Sequence, residues 1–378
     1  MACTDSKYLY RRLERDFNVV RAIPAARAAL GLMAVLRTWV AEGHAGLVAL
    51  SACVCHDVVA AVLGAGCTPV FCDIDPINGE VFSHEWERAR AAGASVALVV
   101  HLYGNPVEIS LVRRYFSTSD CLIIDDAAQA LGSKNIAGYV GGQGDVGLLS
   151  FGSTKHIQSG GAAVLFKDSV FAESVTRTLV SIEFLPEQQR LSIYTRFREK
   201  FETARRRLRC EGTAAAGAFD GILAEYYHSL QLPFPMGSEQ STFVALNTYA
   251  KAREQRIKKS ATWATGLVGS GLIPIGMGAG SVPWRYTCRL PGITWNTQHK
   301  LGEEMRSHGI NVSHWYLPAH WMCGYGPWTL PGTERFAQEV FQFWVDDQTS
   351  SDDIVHGANS VSRVLRALDT FANCGMQG

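Results

Sequence analysis

The first half of the chain alternates short, continuously apolar runs with longer segments of helical pattern. The apolar runs predict strands at Gly46–Leu50, Pro69–Cys72, Val96–His101, Cys121–Asp125, Gly147–Phe151 and Ala162–Phe166. The segments between them predict helices at Ala25–Val40, Cys53–Leu63 and His84–Ala92, with a further segment at Val107–Phe116. Apolar strands separated by helices are typical of a mostly parallel sheet that is covered by helices on both faces. We therefore expect an α/β domain whose ligands bind at the ends of its strands.

The second half of the chain has a different pattern. A strongly basic segment of helical pattern, Ile193–Cys210, indicates an insertion or a cover over the first domain. Its arginines either form a solvated helix face or contact a phosphorylated substrate or a partner subunit. The remaining predicted elements are a long helix at Glu239–Leu267, strands at Trp284–Leu290 and Ile310–His314, and helices at Thr297–Ser307 and Ser350–Leu368.

These changes in pattern divide the chain into three parts. We predict an N-terminal segment at residues 1–20, and a large domain at 21–240 that contains the basic helical insertion at about 185–232. A linking helix and a small α+β domain follow at 241–378. A length of 378 residues suffices for two domains with substantial cores.

Composition narrows the classes of partner. Lys plus Arg and Asp plus Glu both number 35, so net charge recruits neither nucleic acid nor an anionic membrane. The first twenty residues are polar, and no apolar run approaches the roughly 20 residues that a membrane span needs, which predicts a cytoplasmic protein. The ten cysteines are dispersed, with Cys53 and Cys55 as the close pair, so we expect no metal site.

Two features of the first half carry candidate chemistry. Lys155 lies in a Gly/Ser-rich turn between two predicted strands, where it is either a solvated loop charge or an amine that reacts with a carbonyl. Asp125 and Asp126 end an apolar strand, where one of them is expected to cap a helix and the other to face a ligand. A lysine that forms a Schiff base and an aspartate that holds a protonated ring nitrogen are together what pyridoxal phosphate requires.

The segments around these residues resemble the DegT/DnrJ/EryC1/StrS aminotransferase family. The resemblance is carried by Ala65–Asp75, His101–Pro106, Ile124–Ser133, Gly144–Phe151, Thr154-Lys155, Gly160-Gly161, Gly309–Ser313 and Tyr316–His320. It runs in order over about residues 25–167 and resumes, more loosely, from about 236 to the end. The chain is thus identified as a divergent member of this family.

The resemblance implies a fold type I pyridoxal-phosphate enzyme, with a large α/β domain and a smaller α+β C-terminal domain, that forms a homodimer. Most members move an amino group from glutamate or glutamine to a keto group of a nucleotide-linked sugar or a related precursor. Lys155 matches the Schiff-base lysine, and Asp126 matches the partner of the pyridine nitrogen. Gln129 matches the residue that faces the phenolic oxygen of the cofactor, and Ser150 matches a phosphate ligand.

The chain departs from the family pattern at three places. Ala26 and Arg27 stand where a Ser-Gly-Thr sequence usually binds the phosphate, so we expect phosphate at the helix N-terminus, with charge supplied by Arg27. The aromatic residue that usually stacks on the cofactor aligns near Cys55, which makes His56 a candidate contact. The family's Tyr-Asn-x-Arg sequence is absent, and Pro233–Ser238 stands there.

Three functions remain open from the sequence. Transamination is favoured over the dehydration or elimination chemistry of related enzymes, because those dehydratases replace the lysine with histidine whereas here Lys155 precedes His156. A subunit without catalysis is the third alternative, and the missing phosphate-binding elements motivate it. Tyr316 and His320 either contact the acceptor or pack within the fold.

Overall fold

The computed structural model describes residues 2–314, 316–323 and 329–374. The side chains of Cys3 and Cys374 lie outside the described part, and the other eight cysteines are free thiols. The helices are α1 Ala2–Asp16, α2 Ala28–Ala41, α3 His56–Gly64, α4 Ser83–Ala91, α5 Ile109–Arg113, α6 Ser169–Ser181, α7 Glu187–Glu211, α8 Ser238–Gly266, α9 Trp295–Ser307, α10 Pro331–Glu339 and α11 Ser351–Cys374. Short 3₁₀ turns lie at Leu102–Gly104, Gly212–Phe219, Tyr226–Leu230 and Ala319–Met322.

The strands build one large sheet, one small sheet and a hairpin. They are β1 Arg21–Ala25, β2 Leu47–Ser51, β3 Thr68–Cys72, β4 Val96–Val100, β5 Leu122–Asp126, β6 Lys134–Asn135, β7 Gly138–Tyr139, β8 Val146–Ser150, β9 Ala162–Phe166, β10 Ile273–Pro274, β11 Tyr286–Arg289, β12 Val312–Ser313 and β13 Val340–Phe343. The seven-stranded sheet has the order β1-β9-β8-β5-β4-β2-β3. Its strands from β8 to β3 are parallel, whereas β9 is antiparallel to both of its neighbours. The predicted α/β fold class is therefore confirmed.

The large sheet shows one error of element type. The helix predicted from Ala25 begins instead at Ala28, because Arg21–Ala25 form β1 and pair with Ala162–Phe166. Pro24 is tolerated there because β1 is an edge strand. The correction places Arg27 just before the helix, as its N-cap residue, rather than in its first turn.

The N-terminal segment is a helix that packs on the long α8. Leu9, Leu13 and Phe17 are buried in one cluster with Tyr249 of α8. Arg12 donates a hydrogen bond of 2.6 Å to the side-chain oxygen of Asn247. The sequence pattern assigned no element to residues 1–20. The helix predicted at Glu239–Leu267 is displaced by one residue at each end from the observed α8.

The C-terminal part has its own small sheet and core. The sheet has the order β10-β11-β13-β12, and a separate apolar cluster forms between it, α9, α11 and the end of α8. Asp73, which follows β3, accepts hydrogen bonds from the backbone N–H groups of Gly332 and Thr333 at the start of α10. This contact ties the two parts together, and the boundary between residues 240 and 241 stays a prediction.

The basic insertion forms helix α7, which packs on the main core. Phe197, Phe201, Ala204 and Leu208 are buried and recur at intervals of four, three and four residues, as one face of a helix does. None of the described helices is both long enough and apolar enough to cross a membrane.

Candidate functional site

A cleft of about 360 Å³ opens where β5 and β8 end and where α2 and α3 begin. Five of the predicted site residues line it, namely Ala26, Arg27, Asp126, Ser150 and Lys155. They come together because the carboxyl ends of parallel strands meet at one edge of a sheet. Two other predicted residues, Gln129 and His56, do not line the cleft.

Lys155 lies in the loop between β8 and β9. The loop closes on itself through the backbone bonds from Phe151 N to Gly161 O, 3.0 Å, and from Gly160 N to Phe151 O, 2.7 Å. Gly160 and Gly161 adopt φ values of +86° and +76°, which favour glycine. Within the described residues, the Lys155 ammonium has no hydrogen-bond or ion-pair partner, and it lies 5.9 Å from the ring centroid of Trp284. The amine is therefore held at the cleft beyond ion-pair distance of the described carboxylates.

Asp126 ends β5 in the cleft wall and is 4% exposed. One carboxylate oxygen accepts a hydrogen bond of 2.9 Å from the backbone N–H of Ala128. Burial raises the pKa of Asp126. No cationic side chain of the described residues lies within ion-pair distance of this carboxylate, so it retains the capacity to bind a cation in the cleft.

The neighbouring Asp125 is structural. Its carboxylate is fully buried, where it contacts His101 Nε2 at 2.5 Å and accepts a hydrogen bond of 2.7 Å from Gln143 N. As expected, one of the two aspartates is structural, Asp125, and the other faces the cleft, Asp126. Asp125 is not a helix N-cap, however. The carboxylate is instead saturated by an imidazole and by loop backbone.

Gln129 lies one layer behind the cleft. Its side-chain oxygen accepts a hydrogen bond of 2.9 Å from the backbone N–H of Tyr103, and its amide donates to the Tyr316 hydroxyl. Tyr316 lines the cleft, and its ring stacks at 6.2 Å on that of Tyr103. The structure thus gives Gln129 the position of a residue that orients Tyr316. His320, the other open candidate, is buried against Glu334 at 3.1 Å.

His56, the first residue of α3, does not face the cleft. Its ring packs against Phe197 at 5.1 Å and Tyr226 at 5.3 Å, both of which come from the insertion. Cys55, which precedes it, lines the cleft instead. The expected contact between His56 and a cofactor ring is absent from this geometry, because the aromatic cluster of the insertion holds the imidazole.

The predicted phosphate end combines a helix terminus with a charged pair. Ala26, Arg27, Ala28 and Ala29 line the cleft at the start of α2, where free backbone N–H groups favour an anion. The Arg27 guanidinium is 43% exposed, and its Nη2 lies 3.4 Å from Oδ2 of Asp57.

Asp57 is a cleft residue that the sequence analysis missed. It lies in the first turn of α3, and its Oδ1 accepts a hydrogen bond of 2.7 Å from the Tyr226 hydroxyl. Burial alone would raise the pKa of Asp57, but His56, Arg27, the Tyr226 hydrogen bond and Lys155 together hold it below its ordinary value. The carboxylate is therefore charged at neutral pH. The sequence signal for Asp57 is that it is the one acidic residue in the mostly apolar predicted helix Cys53–Leu63.

Comparison with known proteins identifies the relatives of this chain. Residues 9–190 match the model of the DegT/DnrJ/EryC1/StrS aminotransferase family. GDP-perosamine synthase of Escherichia coli O157:H7 is 32% identical over 111 residues, which is 29% of this chain and 30% of that protein. L-glutamine:2-deoxy-scyllo-inosose aminotransferase of Streptomyces lividus is 30% identical over 185 residues, 44% of this chain and 40% of that protein. The matched segments thus span less than half of the length of these curated relatives.

Solved structures extend the likeness over almost the whole chain. Helicobacter pylori PseC, an aminotransferase involved in the biosynthesis of pseudoaminic acid, superimposes with a TM-score of 0.75 at 17% identity, covering 96% of this chain and 91% of that one. DesI in the presence of its TDP-sugar product gives a TM-score of 0.73 at 19% identity, covering 98% and 87%.

The architecture is that of fold type I pyridoxal-phosphate transferases, a large and mostly parallel sheet with a smaller C-terminal domain. The match to the family model covers residues 9–190, a little under half of the chain. Over that part the chain is similar to the DegT/DnrJ/EryC1/StrS aminotransferases.

Proposed function

We propose that the protein is a pyridoxal-phosphate-dependent aminotransferase. It moves an amino group from glutamate or glutamine to the keto group of a nucleotide-linked sugar or a related precursor, and it acts as a homodimer. The observation that carries the proposal is the pairing of an amine and a carboxylate in one cleft. Lys155 has no competing partner among the described residues, and the buried Asp126 carboxylate faces the same space.

The residues of the cleft fit pyridoxal phosphate. A protonated ring nitrogen supplies the cationic partner that the buried Asp126 carboxylate lacks in the described structure. The N-terminus of α2, with Arg27 and Ser150, offers backbone N–H groups, a guanidinium and a hydroxyl to a phosphate. When bound, the cofactor supplies an electron-accepting ring that makes the α-proton of an amino substrate acidic.

The residues of this chain then have distinct tasks. The Lys155 amine would hold the cofactor, and as a free amine it would accept the α-proton of the amino substrate and return it. Asp126 would pair with the ring nitrogen of the bound cofactor and keep it protonated, and burial would strengthen that ion pair because the local dielectric is low. Tyr316, oriented by Gln129, forms part of the wall of the cleft.

The position of His156 favours transfer over elimination. Its ring is buried, its Nε2 lies 3.3 Å from the carbonyl oxygen of Val282, and it does not line the cleft. Lys155 is therefore the basic side chain of this pair that reaches the reacting groups, as transamination requires.

The first experiment traps the cofactor on the lysine. Reduction of the holoenzyme with borohydride followed by peptide mass spectrometry is expected to place the added mass on Lys155. Lys155→Ala is expected to lose the visible absorbance of the covalently held cofactor and all amino transfer. Lys167→Ala is the matched control, because Lys167 lies just beyond β9 and donates to the carbonyl oxygen of Asn18. Transamination by Lys155→Ala would falsify the assignment.

The second experiment separates the three candidate functions. Holoenzyme is incubated with ¹⁵N-labelled glutamate or glutamine and a panel of keto-sugars linked to nucleotides. Label in the sugar product supports transfer, whereas loss of a hydroxyl without label supports elimination. A protein that shows no absorbance change when pyridoxal phosphate is added is a non-catalytic subunit.

A further inference from the structure

The arginines of α7 lie on different faces of the helix. Arg196 and Arg207 form exposed ion pairs with Glu225 and Glu211. A second face of α7 carries three other arginines and one glutamate, spaced four, three and four residues apart: Arg198, Glu202, Arg205 and Arg209. The solvated-face interpretation of the basic segment thus describes only the first group.

The second face of α7 meets basic residues of α9 and of the chain after β12. Arg205 Nη2 lies 2.8 Å from His314 Nε2, and the rings of His314 and His299 are 6.4 Å apart. Arg306 of α9 lies close to the His314 ring, and both flank Gly302. A Cβ added at Gly302 would be 3.1 Å from Arg306 Nη2 and 3.2 Å from the His314 ring. We call Arg198, Arg205, Arg209, His299, Arg306 and His314 the interhelix basic cluster.

The ion pairs among the described residues place two glutamates beside three arginines of the interhelix basic cluster. Glu202 lies 3.3 Å from Arg198 and 3.5 Å from Arg205, and Glu303 lies 2.6 Å from Arg306. Burial lowers the pKa of Arg205, and the neighbouring guanidiniums lower it further. Such crowding of like charges costs stability unless an anion accompanies it.

The two imidazoles add unused hydrogen-bonding capacity. Burial, and then the arginines beside it, hold the pKa of His314 well below its ordinary value, so its ring is neutral. A neutral ring that accepts from Arg205 at Nε2 carries its proton on Nδ1. The Nδ1 atoms of His314 and His299 are both buried and have no partner among the described residues. Buried polar atoms without a partner are uncommon, and a bound ligand or an ordered water satisfies them.

We propose that the interhelix basic cluster binds a phosphoryl dianion that joins the insertion to the C-terminal domain. Guanidinium groups match phosphate oxygens in geometry as well as charge, and buried imidazole N–H groups complete such a site. None of the six residues lines the cleft that contains Lys155. The proposal therefore stands apart from the aminotransferase activity, and it identifies the function of the arginine-rich face that the sequence left open.

The test measures anion binding directly in the purified full-length protein. Titration calorimetry and thermal unfolding are carried out with inorganic phosphate, pyrophosphate and uridine diphosphate, with sodium chloride at matched ionic strength as reference. Arg209→Gln is the principal variant, because Arg209 is only partly buried and its loss leaves the core intact. Arg207→Gln is the matched control on the same helix, where Arg207 pairs with Glu211. Loss of one charge-assisted contact is expected to weaken binding about tenfold to hundredfold in Arg209→Gln and not in Arg207→Gln.

The response to each probe distinguishes the sources of the phosphoryl group. Binding of inorganic phosphate alone supports a free anion, whereas a preference for uridine diphosphate supports a nucleotide-linked ligand. The proposal is overturned if no probe binds beyond the chloride reference. It is also overturned if Arg209→Gln and a second variant, Arg306→Gln, both bind as the unaltered protein does. Because the readout is binding in cofactor-free protein as well as in holoenzyme, failure here leaves the proposed activity untouched.

Discussion

Removing the Tyr226 hydroxyl tests whether the insertion holds a charged residue of the cleft in place. The hydroxyl donates a hydrogen bond of 2.7 Å to Asp57, and Tyr226 is 3% exposed. In Tyr226→Phe the ring keeps its contact with Phe197, whose centroid is 4.2 Å away. A hydrogen bond to a charged group contributes about 1.5–3 kcal/mol. Because the Asp57 side chain is 22% exposed, water replaces part of the bond, and we expect a loss near the lower limit.

Urea unfolding followed by tryptophan fluorescence at pH 7 measures the effect. The free energies of unfolding of the unaltered protein, Tyr226→Phe, Asp57→Asn and the double variant form a cycle that isolates the pairwise term. We expect a coupling of about 1 kcal/mol or more. Tyr194→Phe is the control, since Tyr194 is an exposed tyrosine of α7, and it should change stability by less than about 0.5 kcal/mol.

The pH dependence gives the sign of the same interaction. The folded-state pKa of Asp57 lies below its ordinary value, so its stabilising contribution is complete above the unfolded-state pKa of about 3.9 and is lost as the pH falls through the folded-state pKa. The destabilisation caused by Tyr226→Phe should be constant from pH 8 to pH 5 and decrease below about pH 4. A coupling indistinguishable from zero at pH 7, or a cost that grows on acidification, refutes the reasoning.

Two further substitutions probe how the fold supports the cleft, each measured by urea unfolding. Asp73→Ala removes the carboxylate that accepts hydrogen bonds from the Thr333 backbone N–H, at 2.7 Å, and from the Thr333 hydroxyl, at 2.8 Å. We expect the free energy of unfolding to fall by about 1–3 kcal/mol. A change below about 0.5 kcal/mol contradicts the role of this contact. Gly147→Ala places a Cβ 1.8 Å from the carbonyl oxygen of Gly141, so we expect the free energy of unfolding to fall by at least about 3 kcal/mol. Gly217→Ala is the control, because the space around its Cβ is open and the substitution should be nearly neutral. Equal stabilities of the two alanine variants would contradict the clash.

The central part of the site could be predicted because local pattern determines it. A continuously apolar run identifies a buried parallel strand, and the first polar residues after it lie at the ligand-binding edge of the sheet. This rule points to the Asp125-Asp126 pair and to the loop that holds Lys155, whereas the choice of Asp126 and Lys155 came from the family resemblance. The structure places both residues in one cleft. The α/β fold class follows from the same pattern.

Elements that depend on distant contacts could not be predicted in this way. β1 is a short edge strand that leaves no apolar run in the sequence, and its partners on β9 lie 137 to 145 residues further along the chain, from Ala25 with Ala162 to Arg21 with Phe166. The ring of His56 turns from the cleft only because Phe197 and Tyr226 of the insertion surround it. No periodicity within α3 reports that contact, since its cause lies more than a hundred residues further along the chain.

At the predicted phosphate end of the cleft, Arg27, Asp57 and Tyr226 depend on one another. An aspartate beside a phosphate would repel it, and an arginine alone at a helix N-terminus would be unfavourably placed relative to the helix dipole. Arg27 and Asp57 offset each other at 3.4 Å, and the hydroxyl of Tyr226 fixes Asp57 from the side of the insertion. The pairing of Arg27 with Asp57 therefore depends on the insertion, because without the Tyr226 hydroxyl the carboxylate would be free to approach a bound phosphate. On this argument the insertion is part of the cofactor cleft and not only a cover over it, and shortening it should weaken pyridoxal phosphate binding even when Lys155 and Asp126 are intact.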